Sequence, residues 1–371
     1  ELEDLEATIA YLEDLLAHES KRRALISEEL GEIREKYGDD RRSQIIPDFG
    51  DMSLEDLIAD EELVVSVSAA GYVKSVLAKA YRTQGRGGRG VKGTGLRDDD
   101  VVTQLLHTTA HAYLLFFTNR GKVYRIRAHE IPRKDRTAKG VLVHSVIPLE
   151  PDEFVQSVID TRDYESNRFL VMFTKSGQVK KSKFSDYDSR MQMLIAIKLV
   201  DDDEVVAVRQ TNGGSDLMMF TRNGQGIRFS EDDVRPMGRA SQGVRGVKLR
   251  EGDQVVAAAV ADEAEEVLLL TSSGYGKRTL MEHFRQQGRG GFGVKAMKLT
   301  KVRGFVAAAR AVSPDDHIVI TSSDGIVIRQ EAKSVSRQKR ESTGVKVMNL
   351  ADGATLSALA VAAKNGDEVD A

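Results

Sequence analysis

A short unit anchored on a glycine occurs six times in this chain, and this repeat constrains the fold more than any other feature. The six copies read VSAAGYVKS, FTNRGKVYR, FTKSGQVKK, FTRNGQGIR, LTSSGYGKR and TSSDGIVIR. Their anchor glycines are Gly71, Gly121, Gly177, Gly224, Gly274 and Gly325, at intervals of 50, 56, 47, 50 and 51 residues. The residues three positions earlier all carry a hydroxyl group: Ser68, Thr118, Thr174, Thr221, Thr271 and Ser322. A β-rich run, a polar turn with a positive-φ glycine and a second run predict a hairpin in each copy.

Each copy also has a second half that predicts further strands. It reads KGVLVHSVIPL, QGVRGVKL, GFGVKAMKL or TGVKVMNL, and strands such as DEVVAVRQ and DQVVAAAV follow. The third copy, MQMLIAIKL, lacks the glycine. About four strands per repeat, in a series of such repeats, are typical of a propeller whose ring closes on itself. A β-solenoid would need shorter repeats, and a pair of open sandwiches would not give one period.

A helical pattern precedes the repeats. Leu2, Leu5, Ile9, Leu12 and Leu16, and later Ile26, Leu30, Ile33 and Tyr37, follow heptad spacing. Glu19 and Arg23 occupy the two skipped positions of this seam, and Gly38 is a predicted C-cap. We predict a mainly β protein with a helical coiled-coil stem at 1–38, a linker at 39–62, a six-bladed ring at 63–363 and a short acidic tail at 364–371. The stem is interpreted as a device that places the ring, with a dimerising coiled coil as the alternative.

The formal net charge of −3 averages two unlike regions. Residues 1–62 hold 20 acidic and 7 basic residues, which leaves 37 acidic and 47 basic residues for the remainder. The basic surplus indicates a polyanionic partner for the repeats only, although a solvated basic surface is the alternative. The chain has no cysteine, and no apolar run reaches the ~20 residues that span a bilayer. We therefore predict a cytoplasmic protein without a membrane partner, and, because it begins at Glu1, a piece of a longer polypeptide.

A basic residue recurs near the fourth position after the anchor glycine. These residues are Lys74, Arg125, Lys181, Arg228, Arg278 and Arg329. In a closed ring they are predicted to form a basic rim that binds bent duplex DNA through phosphates, without base readout. The alternative is that each cation pairs with a neighbouring carboxylate. Single-stranded nucleic acid is disfavoured because the chain has no tryptophan and no aromatic residue interleaved with the basic clusters.

A glycine-rich basic heptapeptide, QGRGGRG, follows the first hairpin. It consists of Gln84, Gly85, Arg86, Gly87, Gly88, Arg89 and Gly90. Its glycines allow close backbone approach, and its arginines can supply bidentate phosphate contacts. A related QGRGGFG in the fifth repeat consists of Gln287, Gly288, Arg289, Gly290, Gly291, Phe292 and Gly293. The second heptapeptide is interpreted as an auxiliary DNA contact, with a simple blade turn as the alternative.

With these features the chain resembles the C-terminal region of DNA gyrase A subunits over essentially its whole length. The family's box reads Q, basic, R, G, G, basic, G, and residues 84–90 match it except at Gly85. EKYGDDRRSQI and DEELVVSVSAAGYVKS also resemble family segments. The resemblance implies a six-bladed β-pinwheel with strands exchanged between blades, which wraps duplex DNA in a positive crossing. It further implies two partners, the remainder of the A subunit together with the B subunit, in an A2B2 type II topoisomerase that introduces negative supercoils.

The resemblance also implies that this part of the enzyme is not catalytic. The family's tyrosine nucleophile, its ATP site and its Mg²⁺ carboxylates belong to other regions, so no cofactor or metal is expected here. The runs DDD at 98–100 and 201–203 are interpreted as turn caps, and His107 and His111 as ordinary histidines. Two alternatives remain open: a topoisomerase IV A-subunit domain that bends or tethers DNA without chiral wrapping, and a protein-binding propeller. A hydrolase or metalloenzyme would need a residue constellation that is not recognisable.

Overall fold

The computed structural model describes residues 1–39, 43, 57–68, 70–80, 102–135, 138–161, 164, 168–261, 264–324 and 326–362. The chain divides into two units, Glu1–Leu57 and Ile58–Ala371. The first unit is helical where it is described, and the second consists mainly of strands.

The helical unit contains α1 (Leu2–Ala17) and α2 (Glu19–Tyr37). They are separated at His18, whose backbone is extended, next to the position where the predicted heptad seam is weakened by Glu19. Most large apolar side chains of both helices are exposed within this unit, whereas Leu15 and Leu25 are half-buried. The predicted C-cap is confirmed, since α2 ends at Gly38, whose N–H donates to the Arg34 carbonyl at 2.7 Å. None of the described helices is both long and apolar enough to span a bilayer.

The second unit is built from 23 strands within the described residues. They are β1 (Glu62–Ser68), β2 (Tyr72–Leu77), β3 (Val102–Thr109), β4 (Tyr113–Thr118), β5 (Lys122–Arg127), β6 (Val141–Leu142), β7 (Val155–Thr161), β8 (Phe169–Thr174), β9 (Gln178–Lys183), β10 (Met193–Ile195), β11 (Val205–Thr211), β12 (Asp216–Thr221), β13 (Gln225–Ser230), β14 (Val244–Arg245), β15 (Val255–Val260), β16 (Glu266–Thr271), β17 (Tyr275–Leu280), β18 (Val294–Lys295), β19 (Val306–Val312), β20 (His317–Ser322), β21 (Val327–Glu331), β22 (Val345–Lys346) and β23 (Leu356–Ala362). The mainly β prediction is confirmed.

These strands form six antiparallel sheets arranged as a ring of blades. The strand orders are β3-β1-β2-β6, β10-β5-β4-β7, β11-β8-β9-β14, β15-β12-β13-β18, β19-β16-β17-β22 and β21-β20-β23. The third strand of each repeat contacts the third strand of the next, and β23 contacts β3. The ring of six blades is therefore closed along these innermost strands, as the periodicity predicts.

The outermost strand of a blade comes from the following repeat. The short strands β6, β10, β14, β18 and β22 each belong to one repeat and pair with the second hairpin strand of the preceding blade. The sixth sheet has three strands among the described residues. Its counterpart strand would come from the first repeat between β2 and β3, and residues 81–101 of that connection are not described. Strand exchange thus joins neighbouring blades covalently at the rim.

The hairpin turns show why the anchor glycines and hydroxyl residues recur. Five anchors have φ between 73° and 89°, in the left-handed region that glycine tolerates, and the sixth, Gly325, lies outside the described residues. The hydroxyl oxygen accepts a hydrogen bond from the N–H four residues later, as from Tyr72 to Ser68 at 3.1 Å and from Gln178 to Thr174 at 3.2 Å. Thr118 differs, because its hydroxyl donates to Glu153 at 2.6 Å. The predicted hairpins are confirmed.

The hydrophobic core lies between successive blades. Along β4, Leu114 and Phe116 pack with residues of the first blade, whereas Leu115 and Phe117 pack with residues of the third. The same alternation divides the β12 side chains between two neighbouring interfaces. Because successive side chains on a strand point to opposite faces, a strand buried on both faces reads as a continuous apolar run. This explains the runs LLFF and LMMF before the glycine.

The anchor glycines allow a test of the blade junction, because two of them share a backbone conformation but not an environment. Gly71 has φ +79 with open space where a Cβ would lie, whereas Gly224 has φ +80 and its Cβ would lie 2.7 Å from the Met297 carbonyl oxygen. We expect Gly71→Ala to destabilise the ring by about 1 kcal/mol through backbone strain. Gly224→Ala should cost about 1–3 kcal/mol more, because the outer strand must move away. Urea unfolding of both variants measures the difference, and equal losses would mean that the close approach is unimportant.

Candidate nucleic-acid interface

The first predicted site, the heptapeptide at residues 84–90, lies outside the described residues. The remaining predicted sites are described and fall into two groups, the basic residues that follow the anchor glycines and the related heptapeptide at 287–293. A third group consists of exposed cations on the outermost strands, which the sequence analysis did not select.

The basic residues that follow the anchor glycines do not form an exposed rim. Lys74, Lys181 and Arg278 are buried, with 1%, 4% and 7% of their surfaces exposed. Arg125 and Arg228 are partly buried, and only Arg329 is exposed. The prediction that these six residues present an exposed basic rim is therefore wrong, except at Arg329, for which DNA contact stays a prediction. The alternative of local pairing with a carboxylate holds at Lys181, Arg228 and Arg278.

Four of these cations contact acidic or aromatic side chains inside the ring. Lys181 Nζ lies 3.0 Å from Glu231 Oε1, Arg228 Nη2 lies 2.7 Å from Asp216 Oδ2, and Arg278 Nη1 lies 2.5 Å from Glu266 Oε2. Glu231 and Glu266 are themselves fully buried. The Arg125 guanidinium lies 3.5 Å from the ring centroid of Tyr113. These cations are held by charge pairing and cation–π contact and are not available to phosphates.

Strand exchange is the physical reason for this burial. The fourth position after the glycine forms a parallel bridge with the connecting segment of the next repeat, in the pairs Lys181 with Pro236, Arg228 with Gln286 and Arg278 with Arg337. The incoming segment covers the second hairpin strand and removes its side chains from water. At these bridged positions, the side chain therefore faces a neighbouring blade and not the surrounding solvent.

Three buried lysines form a second internal feature, one residue earlier in alternate repeats. Lys74 Nζ donates to the Ala138 carbonyl at 2.8 Å, Lys180 Nζ to Ala196 at 2.5 Å and Lys277 Nζ to Lys339 at 2.7 Å. Lys180 and Lys277 also donate to the carbonyls of Arg239 and Arg340. Burial lowers the pKa of Lys74, and lowers the pKa of both Lys180 and Lys277 to about 7. These lysines link the first, third and fifth blades to the segments received from the next repeat.

The cations that do face outward lie on the outermost strands. Arg245, Lys295 and Lys346 occupy the second residue of β14, β18 and β22 and are exposed. We call these three the outer-strand cations. A second exposed row lies three residues beyond the end of β10, β14 and β18 and consists of Lys198, Lys248 and Lys298. None of these six residues has an ion pair with a carboxylate of the described chain. The sequence signal was available in QGVRGVKL, GFGVKAMKL and TGVKVMNL, where a cation follows Gly-Val.

The heptapeptide at 287–293 forms a turn across the rim between the third and fourth blades. Gly290 has φ +81 and donates its N–H to the Gly246 carbonyl at 2.7 Å. Arg289 donates from Nε to the Asp233 carbonyl and from Nη1 to the Arg245 carbonyl. Phe292 is exposed, and its ring centroid lies 4.9 Å from Lys248 Nζ. The motif thus has a structural use, while its interpretation as an auxiliary DNA contact stays a prediction.

The other candidate residues have structural partners. Asp203 accepts hydrogen bonds from the backbone and hydroxyl of Ser176, so the turn-cap interpretation is confirmed for this residue, whereas 98–100 are not described. His111 Nε2 lies 2.7 Å from the Ile58 carbonyl oxygen. Across the described residues, no group of three potential ligands could hold a metal ion.

Comparison with known families places six similar units along the chain. The family model for the DNA gyrase C-terminal domain, a β-propeller, matches residues 62–108, 112–162, 168–212, 215–262, 265–313 and 316–363. The DNA gyrase A subunit of Mycolicibacterium smegmatis is 42% identical over 374 residues, covering 100% of this chain and 44% of that protein. The corresponding protein of Mycobacterium leprae is 43% identical over 371 residues, covering 99% of this chain and 29% of that protein. The chain thus spans less than half the length of these relatives.

Two solved structures share the ring. The DNA gyrase A C-terminal domain has a TM-score of 0.64 and 30% identity, and the match covers 81% of this chain and 99% of that one. The C-terminal domain of DNA topoisomerase IV has a TM-score of 0.74 and 24% identity, with 83% and 95% coverage. The second likeness shows the fold alone, because its sequence identity is low.

Proposed function

The chain belongs to the family of DNA gyrase C-terminal β-propeller domains, and on that basis we propose that its ring binds duplex DNA at the rim and bends it. Binding is through phosphates and without sequence preference. The observation that carries this proposal is a set of exposed cations without a carboxylate partner among the described residues. They recur at one register position of the outermost strands, at Arg245, Lys295 and Lys346. Equivalent residues of successive blades follow the circumference of the ring, which suits a bent polyanion.

The free-energy cost of bending DNA requires several such phosphate contacts. Bending 20–30 base pairs by 40–90° costs on the order of 1–6 kcal/mol, which one phosphate contact would not offset. Contacts on several blades add, and each releases counterions on binding. The buried ion pairs contribute indirectly, since they hold the blades that display the exposed cations.

The heptapeptide at 84–90 has a defined place in this proposal. In the other five repeats, the connection after the second hairpin strand supplies the outermost strand of the preceding blade. The corresponding connection of the first repeat contains residues 84–90, and the preceding blade around the ring is the sixth. We propose that this box joins the sixth blade to the first at the rim and that Arg86 and Arg89 contact the duplex there.

In the longer protein, the bent duplex would cross a second segment with positive sign. The other regions of the A and B subunits would supply DNA cleavage and ATP hydrolysis in an A2B2 enzyme that introduces negative supercoils. This domain would set the path of the DNA and would supply no catalytic group.

A topological experiment tests chiral wrapping. The chain is bound to nicked circular DNA at 50 mM salt, the nick is ligated, the protein is removed and the linking number is read. We expect a positive shift that Arg86→Ala/Arg89→Ala abolishes. The matched control Arg168→Ala/Arg190→Ala removes two exposed arginines elsewhere on the ring and should keep the shift.

Binding without any shift would indicate bending or tethering alone, as in the topoisomerase IV alternative. Affinity should fall about 10³–10⁵-fold between 50 and 200 mM salt if 6–10 phosphates are contacted. Absence of duplex binding at 50 mM salt would overturn the proposed function.

A further inference from the structure

At one register position on the outermost strands, the side chain is apolar in some blades and basic in others. The second hairpin strand of each blade begins with a residue that pairs with this position: Leu142 in the first blade, Ile195 in the second, Arg245 in the third, Lys295 in the fourth and Lys346 in the fifth. All five side chains are exposed, with Leu142 at 47% and Ile195 at 53%. Two consecutive blades therefore present an apolar side chain where the next three present a cation.

The connecting segments that form the rim show the same division. Segment 281–305 on the fourth blade holds six basic residues and one acidic residue, and segment 332–355 on the fifth holds five and two. Segment 231–254 on the third blade is balanced, with five of each. Segment 184–204 on the second blade holds two basic and six acidic residues, and 128–154 on the first holds four and five. The rim segments are therefore basic on the fourth and fifth blades, balanced on the third, nearly balanced on the first and acidic on the second.

Main-chain hydrogen bonds join neighbouring rim segments, and between the second and third blades the N–H of Lys198 donates to the Ser241 carbonyl at 3.1 Å. The N–H of Lys248 donates to the Gly291 carbonyl at 2.8 Å, and the N–H of Lys298 donates to the Ser342 carbonyl at 3.2 Å. These bonds join the rim segments of the third, fourth and fifth blades edge to edge. Arg289 and Arg340 reinforce the junctions by donating to the carbonyls of Arg245 and Lys295. A duplex lying across these three blades meets one connected surface.

The rim of the second blade is an unfavourable surface for DNA phosphates. The second blade exposes Met191, Met193 and Ile195, and Asp188 in the same segment is 63% exposed. The two exposed cations of this segment, Arg190 and Lys198, are outnumbered there by six acidic residues. Apolar side chains supply no counterion release, and carboxylates repel phosphates. The contrast lies at one strand register, so it reflects side-chain identity and not a difference in backbone position.

We infer that duplex DNA contacts the rim along the third, fourth and fifth blades and leaves the ring at the second blade, whose outer edge stays free. The inference rests on the proposed function and specifies the path of its partner. It confines the contacts of the described rim to one arc, in place of an even belt around all the blades.

Site-directed DNA cleavage tests this path, because the chain has no cysteine of its own. Single cysteines at Leu142, Ile195, Arg245, Lys295 and Lys346 place an iron–EDTA tether at equivalent strand positions. The labelled chains are mixed with a duplex of about 150 base pairs, one DNA persistence length, at 50 mM salt. We expect strand cleavage from the last three positions and none above background from the first two.

A charge-neutralising pair of triple variants gives a second readout. Arg245→Gln/Lys295→Gln/Lys346→Gln should reduce the slope of log K against log salt by about 2.7, at about 0.9 per phosphate contact. Arg120→Gln/Lys134→Gln/Arg190→Gln removes the same charge from exposed residues elsewhere and should leave the slope unchanged. Equal cleavage from all five positions, or equal slope changes, would overturn the arc and leave duplex binding intact. Parent chain that binds no duplex would overturn the proposed function, and the arc with it.

Discussion

Replacing Glu266 with leucine is expected to lower the free energy of unfolding of the ring by about 3–5 kcal/mol, because it leaves a charged guanidinium buried without its partner. Glu266 has no exposed surface and lies 2.5 Å from Arg278. It also pairs with Arg337 of the next repeat's segment. One carboxylate therefore joins the fifth blade to the segment that covers it, and urea unfolding of Glu266→Leu measures its contribution.

The double variant Glu266→Leu/Arg278→Met separates the charge pair from the fold. With both buried charges removed, most of the lost stability should return, since apolar side chains of similar size replace buried ion pairs at little cost. A double variant as unstable as Glu266→Leu would show that the two side chains do not act as a pair.

The same double variant decides whether Arg278 contacts DNA. Because Arg278 is buried and its Nε and Nη2 donate to the carbonyls of Val335 and Lys333, the salt slope of duplex binding should not change. An exposed phosphate contact would instead reduce the slope by about 0.9. Arg245→Met, on the rim, is the matched control and should show that reduction.

The burial of the cations on the second hairpin strands could not be predicted from the sequence, whereas the hairpins and the ring could. The hairpins could be predicted because their determinants are local: a glycine at positive φ and a hydroxyl three residues earlier lie within one turn. The ring could be predicted because the repeat period sets the number of strands and closure removes their edges. Both inferences need only residues that are near each other in the chain.

The environment of the second hairpin strand could not be predicted in this way. Whether Arg278 faces water depends on Arg337, which lies in the next repeat. The repeat pattern alone does not show which blade receives a short strand. In the sequence, a cation on the second hairpin strand therefore cannot be distinguished from one on the outermost strand. Lys295 follows a glycine–valine pair as regularly as Arg278 follows its anchor, but only the fold shows that Lys295 is outermost.

The two deeply buried lysines predict an unusual dependence of stability on pH. The pKa of Lys180 and of Lys277 is lowered from 10.5 to about 7, chiefly because burial disfavours the ammonium form. Asp186 opposes this effect at Lys180, whereas Arg239 at Lys180 and Arg340 at Lys277 add to it. Between about pH 7 and 10.5 the unfolded chain therefore binds more protons than the folded ring.

Stability should consequently rise with pH over this window, by up to about 1.4 kcal/mol per pH unit for each lysine. Below about pH 7 both states are protonated, so the cost of burying the charge is complete and constant. The equivalent positions Ile227 and Ile328 of the fourth and sixth repeats supply the matched change, Lys180→Ile/Lys277→Ile. Urea unfolding from pH 6.5 to 9.5 should show a flatter dependence for this variant than for the parent, whereas Lys183→Gln, at an exposed lysine, should keep the parent's slope. Identical slopes for the double variant and the parent would mean that both lysines remain protonated inside the ring and that the carbonyl groups around them suffice to hold the charge.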